Sequence, residues 1–196
     1  MRNIIFNEIL IPSLKMLYQH DYDNIKFGVS ERNICARLAH HMENIMREYD
    51  RRNNSDIFQK YFVDVEYNRM GNGDIKRYEN NAHNPQTMVS DLLIQSRGPE
   101  RNYLAVEMKK KDNEEKRYED RRRLKSLVKP DGREDCVHNT FLGAFIIYSS
   151  DDVEIELYYS YNNRIVKKTR RLVVCSSPVV KTYITEENNS LAQIDI

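Results

Sequence analysis

The chain has 196 residues with 31 Lys and Arg against 30 Asp and Glu, long enough to bury a real core as one domain and almost electrically neutral. That balance argues against a nonspecific polyanion binder, so any electrostatic footprint for nucleic acid must be local. Cys35, Cys136 and Cys175 are far apart, with neither CxxC nor Cys-His spacing, which argues against zinc and against a disulfide scaffold and points to a reducing, cytoplasmic setting.

In chain order, Ile5, Ile9, Leu10, Leu14 and Leu17 recur at near-helical spacing, with Pro12 expected in a first turn or at a kink. The apolar run from Ile4 to Ile11 is interrupted by Asn7 and Glu8 and lacks a cleavage site, and no run approaches membrane-spanning length; a soluble, unexported protein with no membrane partner is expected. Ser30 is a natural N-cap for the strongest helical signal, in which Ile34, Leu38, Met42 and Ile45 line one face to about Tyr49. At about 100° per residue Glu31 falls beside that stripe, while Glu43 is rotated roughly 140° from its centre. From position alone Glu31 reads equally as a carboxylate favoured by the helix dipole.

Tyr61 to Tyr67 alternates as a strand. Asn68 to Gln86, rich in Asn and Gly, reads as a long loop or a polar hairpin around Asn72-Gly73, with Arg69, Lys76 and Arg77 as weak candidates for phosphate contact. Met88 to Gln95 is an apolar run containing Asp91, and Ser96 to Pro99 is turn chemistry. Asn102 to Lys109 then alternates, Leu104, Val106 and Met108 on one face and Ala105, Glu107 and Lys109 on the other. A carboxylate inside an apolar strand is costly without a partner. Asp91 and Glu107 on neighbouring strands can converge on one hard cation; the bland alternative is an exposed Glu107–Lys109 salt bridge with Asp91 at a turn end.

Asp112 with Glu115 resembles a capping box opening a helix from Glu114 to Val128, ended by Pro130 and Gly132. Its cations, with Lys110 and Lys111 before it and Arg122 and Lys125 within it, form either a solvated charged face or a local basic patch for nucleic acid. Thr140 to Tyr148 is continuously apolar, as in a strand buried on both faces. Val153 to Tyr161 and Ile165 to Cys175 read as antiparallel strands joined at Asn162-Asn163, and a weak strand-like patch at Val179 to Ile184 lies in a polar tail.

The order Asp91, fifteen residues, then Glu107-Met108-Lys109 on strand, turn and strand resembles the core signature of the PD-(D/E)XK nuclease superfamily, with Ser90 where the family pattern has Pro. The resemblance implies an α/β restriction-endonuclease-like fold: a central mixed sheet flanked by helices, with additional C-terminal antiparallel strands. Its parts are an N-terminal helical segment over 1–28, an α-β-β-β-α-β core over 29–148, and a hairpin and tail over 149–196. It further implies that Asp91 and Glu107 hold Mg²⁺ or Mn²⁺, that Lys109 orients water and stabilises charge, and that Glu31 reaches over from its helix. The implied activity is phosphodiester hydrolysis, most often of DNA, and a double-strand cutter commonly needs a homodimer. The alternative is an inactive nucleic-acid-binding or assembly protein on the same fold. There is no Walker A loop and no GxSxG elbow, and His40-His41 read as a surface or partly buried pair.

Overall fold

The structure, a computed structural model, describes residues 1–67, 77–79, 85–87, 89–97, 100–129, 140–175 and 183–186. A π-helical stretch, Ile4–Leu10, leads directly into α1 (Ile11–His20). Pro12 sits in the first turn of α1, and the turn before it widens so that the Ile11 N–H reaches back to the Phe6 carbonyl. The wider turn relieves the clash a proline ring makes in a regular helix. Ile5, Ile9, Leu10, Leu14 and Leu17 are all buried, as their spacing predicts.

After the short α2 (Tyr22–Lys26), α3 (Glu31–Asn53) begins where the N-cap signal lies: Ser30 Oγ accepts from the Asn33 N–H at 3.3 Å. The buried stripe is Ile34, Leu38, Met42 and Met46; Ile45 is only partly buried at its edge. α3 is tied to the first strand by polar groups. Arg47 donates from Nη1 to the Phe58 carbonyl at 2.5 Å and from Nη2 to the Tyr61 carbonyl at 2.6 Å. Glu43 accepts from Arg47 and from the Val63 N–H, which accounts for that carboxylate structurally.

The strands are β1 (Phe62–Tyr67), β2 (Arg77–Glu79), β3 (Pro85–Thr87), β4 (Ser90–Gln95), β5 (Asn102–Lys110), β6 (Thr140–Tyr148), β7 (Asp152–Tyr161), β8 (Arg164–Cys175) and β9 (Tyr183–Glu186). Seven of them form one mixed sheet in the order β1-β4-β5-β6-β7-β8-β9, in which β5 and β6 are parallel and their neighbours antiparallel. β2 and β3 make a separate antiparallel pair, while Asn72-Gly73 lies outside the described residues. The predicted reversal at Asn162-Asn163 is present: both residues have φ near +50 to +60°, the left-handed conformation that hairpin turns of this kind need.

The parallel pair requires a crossover, and α4 (Arg117–Val128) lies in it. The predicted capping box does not form. Asn113, not Asp112, accepts from the Glu115 N–H, and the chain turns through Lys116 at φ 59° before the helix starts at Arg117. Arg117 holds this turn by donating to the carbonyls of Lys110, Lys111 and Asn113, which leaves Asp112 well short of the first helical turn.

The fold is thus α/β, a mixed sheet with helices on both faces. Leu92, Ile94, Leu104, Val106 and Met108 pack with α1 and α3 in the larger core. Leu93, Ala105, Phe145, Ile147 and Tyr158 face α4 and its Leu124, Leu127 and Val128 in a smaller one. Gly143 on β6 lets α4 come close, because a Cβ there would already touch Leu124 and Val128 at 3.4–3.5 Å. Among the described residues, no helix is long and apolar enough to cross a membrane.

Arg47→Ala is expected to lower stability by about 1–3 kcal/mol through the loss of its donor to the Tyr61 carbonyl and of one of two donors to the Phe58 carbonyl, which keeps the Tyr61 N–H, read as a lower urea midpoint at unchanged slope. Arg47→Lys should recover only part of the loss, since one ammonium replaces a two-pronged donor.

Candidate active site

β4 and β5 pair with Leu92 opposite Val106, Leu93 opposite Ala105 and Ile94 opposite Leu104. One step further along that register stands Asp91 opposite Glu107, and opposed residues of an antiparallel pair project from the same face. Lys109, two residues on, shares that face. Asp91 Oδ2 accepts from the Met108 backbone N–H at 2.7 Å, fixing the carboxylate against the edge of β5.

Glu107 is 1% exposed and both its oxygens are engaged by one guanidinium: Arg123 of α4 donates from Nε at 3.1 Å and from Nη2 at 2.9 Å. One helical turn earlier, Asp120 is 2% exposed. Its Oδ1 accepts from Arg123 at 2.5 Å, whereas its Oδ2 is buried with no hydrogen-bond partner and lies 3.7 Å from Lys109 Nζ. Glu31, the first residue of α3, reaches the end of β5. Its Oε2 accepts from the Lys110 N–H at 3.0 Å and its Oε1 is 3.5 Å from Lys109 Nζ.

The structure therefore brings together Glu31, Asp91, Glu107 and Lys109, the four residues singled out from sequence, and adds Asp120 and Arg123. A signal for these two exists in the sequence. Asp120, Arg123, Leu124 and Leu127 follow the i, i+3, i+4, i+7 pattern, which puts an acid and a base inside the apolar stripe of α4.

Of the basic candidates, Lys111 is held by both oxygens of Asp152 at 2.8–2.9 Å, and Lys125 Nζ stands 5.9 Å from the centre of the Tyr158 ring. Arg122 is half-buried on α4, and Lys110 Nζ lies beside Gly28. Arg69 and Lys76 lie outside the described residues, as does the side chain of Arg77.

Burial is the largest influence on Asp91, Glu107 and Asp120, and it raises all three. Asp91 is raised by burial, eased by the Met108 N–H and Lys109, and raised further by Asp120 and Glu31. Glu107 is raised well above the ordinary carboxylate range by burial and by Asp91, which together outweigh Arg123. Asp120 is raised by burial against the pull of Arg123 and Lys109. Burial lowers Lys109, but the attraction of Asp120, Glu31 and Asp91 exceeds it, so the ammonium is held more firmly than usual.

Glu156, on β7 beyond β6 and likewise buried, provides the contrast. Burial raises it too, yet hydrogen bonds from Arg121, Lys167 and Tyr158 overcome that and bring it down to about 2. A buried carboxylate in this fold can be fully compensated; the cluster around Glu107 is not. Glu31, Asp91, Glu107 and Asp120 face Lys109 and Arg123, so with all six ionised the site carries a formal excess of two negative charges.

Among the described residues no three Asp, Glu, His or Cys side chains converge closely enough to cage a metal ion. Mg²⁺ does not need such a cage: it is usually held by one or two carboxylates together with water and phosphate oxygens. Hard oxygen donors, a buried Asp120 oxygen with no hydrogen-bond partner and a charge excess matching one divalent ion all fit it. No family model, no curated protein and no solved structure matches the chain.

A carboxyl whose folded pKa is raised stabilises the fold most below its unfolded pKa, and that contribution is lost as pH rises through the folded value. Asp91→Asn, which keeps an acceptor for the Met108 N–H, is therefore expected to raise the thermal midpoint at pH 7. The gain over wild type should shrink as the pH falls into the acid range where Asp91 is itself protonated. A variant less stable than wild type at pH 7 would show that Asp91 is a compensated structural charge.

Proposed function

We propose that this protein is a metal-dependent nuclease that hydrolyses phosphodiester bonds in nucleic acid, foremost DNA, at a PD-(D/E)XK-type site on a restriction-endonuclease-like fold. The observation that carries the reading is the uncompensated acidic cluster: carboxylates from two strands and two helices gathered about one lysine, two cationic charges short of balance. Carboxyls shifted by burial together with specific charge partners are candidates for functional sites.

Asp91 and Glu107 would hold Mg²⁺ or Mn²⁺, which when bound supplies a water of lowered pKa and neutralises charge building on the phosphate. Lys109, kept protonated by three carboxylates, would orient the attacking water and stabilise the phosphoryl oxygens. Glu31 positions it, gripping the end of β5 through the Lys110 N–H while facing the Lys109 ammonium. Arg123 shields Glu107, and Asp120 offers that guanidinium a second carboxylate to lean on when Glu107 takes up a cation.

One observation favours a second reading, a nucleic-acid-binding protein without catalysis: Arg123 already occupies both Glu107 oxygens. Cleavage of linear, circular and branched DNA and of RNA, with Mg²⁺, Mn²⁺ or EDTA, separates the two. Metal-dependent cutting is expected, reduced by about 10²-fold or more in Asp91→Ala and Lys109→Ala and by about 10- to 100-fold in Glu31→Gln. Binding without cutting by the wild type would favour the second reading, and cutting unaffected by Asp91→Ala would reject the site. Independently of turnover, millimolar Mg²⁺ should raise the thermal midpoint of wild type and leave that of Asp91→Asn unmoved.

A further inference from the structure

At the end of the sheet, on the side of α2 and α3, a cavity of about 460 Å³ opens between the α2–α3 turn and the ends of β5 and β6. Its floor is Tyr148, paired with Lys110 across the two parallel strands. The Tyr148 ring is 1% exposed and its hydroxyl, buried, has no hydrogen-bond partner. A buried phenol normally finds one.

Three lysines line the same cavity: Lys111 is held by Asp152 and Lys26 Nζ stands 5.9 Å from the centre of the Phe27 ring, while among the described residues the ammonium groups of Lys26 and Lys110 make no hydrogen bond or ion pair. They outnumber the one unpaired carboxylate there, Asp112. Gly28 allows this arrangement: it has φ +72°, and a Cβ on it would stand 2.8 Å from Lys110 Nζ. Between Lys26 and Gly28, Phe27 holds its ring 76% exposed at the mouth, a cost in water that binding a flat apolar partner would remove. An unpartnered hydroxyl donor and two ammonium groups without a carboxylate partner recognise a phosphate; an exposed aromatic ring beside them recognises a base.

We propose that this cavity binds the nucleotide next to the scissile one, its phosphate on Lys26, Lys110 and Tyr148 and its base stacked on Phe27. The assignment rests on the nuclease reading for its role, because Lys110 follows Lys109 directly and points to the opposite face. A strand draped over the end of β5 would meet Lys109 on one side and the pocket on the other. Stacking on Phe27 requires an unpaired base, so the pocket selects single-stranded, frayed or branched substrate.

Equilibrium binding in EDTA, where the proposed cleavage cannot run, tests it with three probes: a short single-stranded oligonucleotide, thymidine 5′-monophosphate and inorganic phosphate. Phe27→Ala, a change at an exposed ring that should leave the melting curve in place, is expected to weaken the oligonucleotide and the mononucleotide roughly tenfold and to leave phosphate unchanged. Tyr148→Phe and Lys110→Ala should weaken all three probes. Unaltered oligonucleotide and mononucleotide binding in these variants would overturn the pocket, even if Asp91-dependent cutting stands. The expected losses, in a protein that cuts nothing, would uphold the pocket as a nucleotide site and overturn the catalytic reading.

Discussion

A carboxylate in the middle of a sheet, sealed from water, sets the terms for everything around it. Glu107 is on the third strand of the sheet and almost wholly buried, so it must be matched by a cation or carry a proton. Arg123 supplies the match with both arms, and this places α4 over β5 in a fixed rotation. The same guanidinium reaches Asp120, which in turn faces Lys109, and Lys109 faces Glu31 at the start of α3. One buried charge thus fixes how the helices on the two faces meet the end of a single strand.

The two faces of the sheet are stabilised differently. Against α1 and α3 it buries a broad layer of Leu, Ile, Val and Met, where burial of apolar area dominates. Against α4 it buries a thinner apolar layer interrupted by Glu107, Asp120 and Glu156. Buried ion pairs of this sort add little net stability compared with hydrocarbon of the same shape. α4 is highly charged because the strands beneath it are charged, and a helix held by exchangeable ion pairs can adjust its side chains without unpacking a core.

Much of this was legible in the sequence, for reasons that differ between elements. The alternation along Asn102 to Lys109, the apolar run at Thr140 to Tyr148 and the Ser30 cap are local signals, and each appears as read. The capping box at Asp112 and Glu115 was a false local signal, because Arg117 bonds back to three carbonyls and moves the helix start past it. Arg123 and Asp120 were hidden in a stretch crowded with charge. Composition makes such a stretch look like a solvated face, and only helical phase shows that two of its charges point inward. Tyr148 was invisible for a different reason: its missing partner is a property of the cavity around it.

The placement of Lys109 and Lys110 draws these features together. Adjacent residues on a strand face opposite ways, so one ammonium lies among the carboxylates under α4 and the next enters the cavity beside α2. Glu31 touches both through one carboxylate, accepting from the Lys110 N–H and facing the Lys109 ammonium. Any shift of the α3 N-terminus therefore alters the acidic cluster and the basic cavity together, and a chain with almost no net charge still presents opposite local fields within one residue of each other. On the proposed nuclease reading, a polyanion held in the cavity would bring its backbone to the acidic side, where a divalent cation would offset the repulsion of the carboxylates.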